Sequence, residues 1–414
     1  MSEANPEVKA ETKVEAKPAA AKAGAKAKKS WSNPALRAMG IPRISLPSRN
    51  WMIFWTVLTT IGTGIAYDKY QQKKIRTKWM EKVESLGHIS YPTEQLPRKL
   101  TIYIAPPPND FLDESLKLFK KFIKPVLNAG CLDFEIFSES RQGDIRSNVA
   151  QRIRDLRQAE LDKQVAQQPV DTLPSATFED EEQLVRRSEL YKPKDVLGLY
   201  RIFPGEIELK SEDSQDIAGG IICIGRGAFK EYITGLHEGL LGPLTKPQFV
   251  IDQELKAEEE LKAKEEAEES EEPNLKPVPK PYITPDQYSN AEFAPELNLG
   301  TIIKNNQGIP QFFEQPLYVF KVPNLIGFTT IPLKIYRYFT KRYLADDYGH
   351  KASGIVLNKT RSFTIEDLDF AKDEELEWPK KWVKTGLERN SEWVQEIQVD
   401  ERIISRMKVF EVEE

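Results

Sequence analysis

The chain has 414 residues, 64 acidic against 59 basic, and a formal charge of -5. That near balance excludes a dedicated nucleic-acid binder, which would carry a strongly basic domain. Two cysteines and three scattered histidines exclude a disulfide framework and a structural zinc site, and we expect no metal and no cofactor.

Residues 1–50 form a basic arm of Ala, Lys, Glu and Pro that cannot repay its ordering entropy, so we expect it to be disordered. Its first thirty residues hold no apolar run and no arginine, and they include Glu3, Glu7, Glu11 and Glu15, so it reads as neither a secretory signal nor a cleavable presequence. Arg37, Arg43 and Arg49 lead into an uncharged stretch, Trp51 to Tyr67. Seventeen helical residues span about 25 Å, near the lower limit for a bilayer core. Trp51, Trp55 and Tyr67 suit the two interfaces, and we expect a single transmembrane helix over 51–67. Four threonines with Gly62 and Gly64 make it only moderately apolar. The small-residue pairs Thr59/Thr63, Thr60/Gly64 and Gly62/Ala66 would let another helix approach. Lys69, Lys73, Lys74, Arg76, Lys78 and Lys82 follow the stretch, so flank charge favours retaining the C-terminal region.

Residues 68–97 read as a juxtamembrane helix, Lys69 to Ser85, and a stalk. A doubly wound α/β lobe over 98–250 follows. Leu100 to Ala105 is a strand broken by Pro106-Pro107-Pro108, Phe111 to Asn128 a helix capped by Gly130, Phe134 to Phe137 a strand and Ile145 to Leu161 a helix. That alternation implies right-handed crossovers and a parallel sheet. Residues 162–190 read as a polar insertion, with a hairpin over Leu197–Phe203 and Glu206–Leu209. Ile221 to Ile224 reads as a buried strand, and Phe229 to Leu241 as a helix. Cys131 and Cys223 read as buried thiols. Residues 251–314 form an acidic and Pro-rich excursion, solvated or disordered over 253–281. Residues 315–414 complete the lobe and add a smaller α+β region. Here we expect a strand at Leu317–Lys321, a helix at Ile331–Leu344, and strands at Ile355–Leu357 and Met407–Val412, with Trp378, Trp382 and Trp393 on helical stretches. Lys334, Arg337, Lys341 and Arg342 share their helix with Ile335, Tyr336, Phe339 and Tyr343. That composition suits an anionic membrane surface or a partner groove, although a docked core helix with a basic edge has the same signature.

A glycine-rich turn between a buried strand and a helix is where phosphates bind, because free N–H groups and the helix dipole face outward. Ile224 to Leu236 has that form and resembles the nucleotide-binding signature of diacylglycerol-kinase-like lipid kinases through Gly225, Gly227, Glu231, Gly235 and Leu236. It departs where that family has a first glycine, an aspartate and a threonine, for these are Ile224, Arg226 and Ala228. The three prolines after the first strand also offer no N–H donors. A lipid-kinase-like lobe that has lost phosphoryl transfer is implied, with Arg226 left to pair with an anionic head group or to support the turn. No catalytic residue is expected elsewhere; an active membrane-anchored lipid kinase or a lipid-binding pseudo-kinase is the alternative.

Longer words carry a second resemblance. Asn33-Pro34-Ala35-Leu36, Pro47 through Trp55, Val322-Pro323-Asn324-Leu325-Ile326-Gly327-Phe328 and Ile335-Tyr336-Arg337 resemble the Tim54 family of fungal mitochondria. The resemblance implies a non-enzymatic scaffold subunit of the inner-membrane carrier translocase, single-pass, with its N-terminus in the matrix and its C-terminal domain in the intermembrane space. This placement opposes the flank charges. The resemblance further implies channel-forming and small chaperone subunits as partners, inner-membrane lipid around the span, and a link to assembly of an intermembrane-space protease.

Overall fold

The computed structural model describes residues 48–89, 97–167, 218–267, 278–297, 300–304 and 309–412. Nearly all of the expected disordered arm, most of the polar insertion and the hairpin over 197–209 therefore lie outside the described residues. Packing divides the chain into two units, Met1–Gly64 and Ile65–Glu414.

In the first unit the described residues open helix α1 (Arg49–Gly87). Residues 48 to 63 are all exposed. The hydroxyls of Thr56, Thr59 and Thr60 donate to the carbonyls of Met52, Trp55 and Thr56 at 2.8 Å, so the helix itself satisfies these polar groups. Trp51 stacks on Trp55 with ring centroids 6.5 Å apart. Among the described residues no helix is long and apolar enough to cross a membrane. The transmembrane helix expected over 51–67 falls short of that measure, because Arg49 and Asp68 bound the uncharged stretch and four threonines dilute it.

In the second unit α1 continues as a docked element. Asp68, Gln72, Trp79 and Val83 recur on one face at helical spacing and are buried. Strand β1 (Lys99–Ile104) follows, then α2 (Leu112–Leu118), a π-helical turn (Phe119–Ile123) and α3 (Lys124–Ala129). The single expected helix is interrupted at Pro125, which has no N–H to give to the Lys121 carbonyl; Arg76 Nη1 donates to that oxygen instead, at 3.3 Å. Cys131 sits in the tight turn at φ 54° and is exposed, so the expectation of a buried thiol fails there and holds for Cys223.

Next come β2 (Asp133–Ser138), α4 (Asp144–Gln167), β3 (Gly220–Ile224), α5 (Arg226–Leu241) and α6 (Gln248–Ala267). Of the two alternatives for residues 253–281, solvated or disordered, helix α6 sets aside disorder up to Ala267, since Glu, Lys and Ala are strong helix formers whatever their hydropathy. The remaining elements are β4 (Leu317–Phe320), α7 (Ile331–Phe339), α8 (Lys341–Val356), β5 (Thr360–Ser362), α9 (Asp373–Glu377), α10 (Lys380–Glu388), α11 (Glu401–Ile404) and β6 (Lys408–Phe410). The strand expected at Ile355–Leu357 is instead the end of α8: Ile355 and Val356 pack inward with Ala352 at helical spacing. Trp382 is helical, whereas Trp378 caps the end of α9 and Trp393 lies in a turn.

The sheet order is β2-β1-β3-β4-β6-β5, parallel except for the edge pair β5–β6. Both faces are covered, as a parallel sheet requires. Tyr103, Ile221, Cys223, Leu317 and Val319 face α4 and α5, and Leu100, Ile102, Ile104, Ile222, Ile224 and Phe320 face Trp79, Phe119, Phe122 and Tyr348. Residues of 315–414 thus supply three strands to the same sheet.

Candidate functional site: a glycine turn filled from within

The turn at Gly225 follows the most buried strand and opens α5 three residues earlier than the sequence suggests. Gly225 adopts φ 96° and ψ 146°, a conformation open to glycine and strained for other residues. Its N–H donates to the Phe320 carbonyl at 2.8 Å, which fixes the turn at the carboxyl end of the sheet.

The place where a phosphate would sit is taken by the chain itself. Glu374, from α9, accepts at one carboxylate oxygen from the backbone N–H groups of Arg226 and Val322, each at 3.0 Å. Burial pushes this carboxyl up to about 7, against the pull of those donors. Arg226 is only 4% exposed. Its Nε donates to Glu375 at 2.7 Å and its Nη1 to the Leu368 and Phe370 carbonyls. One turn on, Lys230 donates to Glu375 at 2.8 Å and to the Trp393 and Gln395 carbonyls. The arginine is therefore a buried tie between α5 and the segment 368–396.

The other signature residues serve packing. A Cβ on Gly227 would lie 2.7 Å from the Trp393 indole, and one on Gly235 would lie 2.7 Å from the Arg146 carbonyl oxygen of α4. Glu231 is fully buried. Its carboxylate accepts from the N–H groups of Gly143, Ile145 and Arg146, capping α4, and from Trp393 Nε1 at 2.5 Å. Burial pushes this carboxyl, too, up to about 7. Next on α5, Glu238 pairs with Arg146 and Arg154, and His237 accepts from the Asp400 N–H at Nε2 while its Nδ1 faces the Ile233 carbonyl. Burial lowers His237 to about 4, keeping the ring neutral.

The proline loop after β1 is sealed in the same way: its Pro108 carbonyl accepts from Asn324 at 2.9 Å, and the Ala105 carbonyl accepts from Ser115 at 2.8 Å. Beside it lies a cleft of about 730 Å³ lined by Pro107, Asn324, Tyr336, Arg337, Leu344 and Glu377. Among the described residues no group of His, Cys, Asp or Glu side chains could hold a metal ion.

The four basic residues grouped on one expected helix fall on two, because α7 ends at Thr340. Lys334 and Arg337 are on α7, and Lys341 and Arg342 open α8. No residue of α7 is buried, so the reading as a docked core helix fails for α7, while α8, which Lys341 and Arg342 open, docks through Ala345 and Tyr348. Arg337 pairs with Glu377 through two bonds, at 2.7 and 3.0 Å. Arg342 gives its N–H to Asp68 at 3.2 Å. Trp51, Trp55 and Gly62 lie on the exposed opening of α1, Gly64 closes the first unit, and Tyr67 belongs to the second. Sequence reasoning missed Glu374 and Glu375, since an acidic run ahead of a tryptophan carries no sign of the helix it will meet.

Against known proteins, the family described as "Inner membrane protein import complex subunit Tim54" matches residues 33–269 and 250–410. The mitochondrial import inner membrane translocase subunit TIM54 of Candida albicans is 65% identical over 93% of this chain and 98% of its own length. The subunit of the same name from Saccharomyces cerevisiae is 40% identical over 93% of this chain and 95% of its own. That of Neurospora crassa is 33% identical over 91% and 80%.

Proposed function

The chain belongs to the Tim54 family of mitochondrial inner-membrane protein import subunits, and from that membership we propose that it is a non-catalytic scaffold of the carrier translocase. Its α/β unit presents surfaces to channel-forming and small chaperone subunits while multi-spanning carriers are inserted. The observation that carries the non-catalytic reading is Glu374 of α9, whose carboxyl occupies the start of α5, where a lipid kinase needs room for nucleotide phosphate. The buried parallel strand and the glycine turn support descent from a lipid-kinase-like lobe. The bonds that Arg226 makes within the chain from Nε and Nη1 speak against a retained kinase and against a head-group site at that residue.

In this reading Trp51–Tyr67 is held in the inner membrane as a marginal span. Its threonines are satisfied within the helix, and its small-residue face is covered by a partner helix. The N-terminus lies in the matrix and the α/β unit in the intermembrane space, where it is also placed to meet a protease assembly. Import machinery and the size of the folded unit outweigh the flank charges.

Mitochondria depleted of the chain and re-supplied with it test the proposal. We expect insertion of a multi-spanning carrier to fall on depletion and recover with the intact chain, while import of a matrix precursor holds steady. Unchanged carrier insertion would remove the scaffold role. Protease treatment of mitoplasts that leaves the α/β unit intact would remove the intermembrane-space placement.

A further inference from the structure

Helix α7 carries an apolar surface that the described residues leave largely uncovered. Ile331, Ile335 and Phe339 recur every four residues and, with Tyr338, form one face; at about 100° per residue Arg337 falls on the opposite side. The Arg337–Glu377 pair ties that opposite side to the body, which turns the apolar face outward. Of that face Ile331, Ile335 and Tyr338 are exposed and Phe339 is half-buried; Leu333 and Tyr336, off that face, are exposed as well, and Phe328 just ahead is 87% exposed.

The end of α7 is tied to the start of the docked part of α1. Three residues beyond its end, the Arg342 N–H bonds to Asp68 and the Arg342 guanidinium lies 5.8 Å from the centre of the Tyr67 ring. Tyr67 ends the uncharged stretch and Asp68 is the first charge after it. A bilayer that ends at Tyr67 therefore has its head groups beside the end of α7. Cations gather there. The Lys121 ammonium is held below its ordinary range by burial first, then by the nearby charges of Lys341, Arg76 and Lys69, against the opposing pull of Asp68. An aromatic and aliphatic face rimmed by basic residues is the composition of a helix lying in an anionic interface.

We propose that α7 lies flat in the head-group region of the leaflet that Tyr67 reaches, giving the α/β unit a second hold on the membrane through anionic lipid. This rests on the membrane reading of Trp51–Tyr67. The test uses the full chain, with Cys131→Ser as background, carrying an environment-sensitive fluorophore at Ile335→Cys, Gly62→Cys or Leu376→Cys. Each is reconstituted in phosphatidylcholine vesicles containing cardiolipin and lipid with a nitroxide near the head group. We expect the Ile335 label to lose most of its emission to the nitroxide, the Gly62 label to be shielded from an aqueous quencher, and the exposed Leu376 label to respond only to that aqueous quencher. A second variant, Lys334→Glu with Lys341→Glu, should restore much of the Ile335 emission. If Gly62 is shielded while Ile335 answers only the aqueous quencher, the interfacial helix is wrong and the anchor stands. If Ile335 answers neither quencher, protein covers it and the lipid assignment is overturned. If Gly62 answers the aqueous quencher freely, the anchor reading itself fails.

Discussion

One carboxylate oxygen of Glu374 accepts the N–H of Arg226, 148 residues earlier in the chain, at 3.0 Å, and so ties a helix of the C-terminal segment to the turn that opens α5. The same oxygen accepts Val322 N–H, so a single acceptor organises the carboxyl ends of β3 and β4. An acceptor that is part of the chain costs no binding entropy at this turn, and it satisfies the first N–H groups of α5 without a ligand.

Glu374→Gln should change stability in a pH-dependent way. Burial holds the folded carboxyl near 7, above its ordinary 4.5, so the folded state binds the proton more tightly than the unfolded state. Glu374 therefore favours folding most below pH 4.5, and that contribution is lost as pH rises through 7. Glutamine keeps a neutral acceptor at all pH values. In thermal melts of the full chain in detergent, the variant should gain on the parent between pH 5 and pH 8; a constant difference would contradict the assignment.

Gly227→Ala places a methyl 2.7 Å from the buried Trp393 indole. Overpacking of this kind costs about 1–3 kcal/mol, and a lowered midpoint in denaturant at unchanged slope is the expected result.

Glu231→Gln puts an amide NH₂ among four N–H donors, where only acceptors fit. The loss should be about 1–3 kcal/mol, the cost of leaving buried donors unpaired. Near-ultraviolet circular dichroism of Trp393 should weaken in parallel, because its Nε1 loses the carboxylate.

Trp79→Ala should loosen α1 from the α/β unit. Its ring packs where a Cβ on Gly349 would stand 2.4 Å away, and its Nε1 donates to Asp346 at 2.8 Å. Removing a buried tryptophan costs about 3–5 kcal/mol. Faster limited proteolysis within residues 68–87 is expected, with the slower cleavage elsewhere unaltered.

The parallel sheet was legible because its buried strands are short apolar runs set between helices of 3.6-residue period, as with Ile221–Ile224 before α5. The glycine turn could be read for the same local reason. What filled it could not, for Glu374 meets Arg226 only after the sheet has closed, and no local pattern marks that partnership. Residues 355–357 misled because β-branched residues suit a buried helix end as well as a strand. Helix α6 was hidden by its charge, which says nothing against helix propensity. The break at Thr340 likewise leaves no trace in composition, and it alone separates the uncovered α7 from the docked α8.

Titration of the full chain with magnesium-ATP by isothermal calorimetry tests most directly whether the turn at Gly225 is closed by Glu374. The filled site predicts no saturable heat in the parent chain. Saturable binding of magnesium-ATP that disappears on Gly225→Val would contradict it.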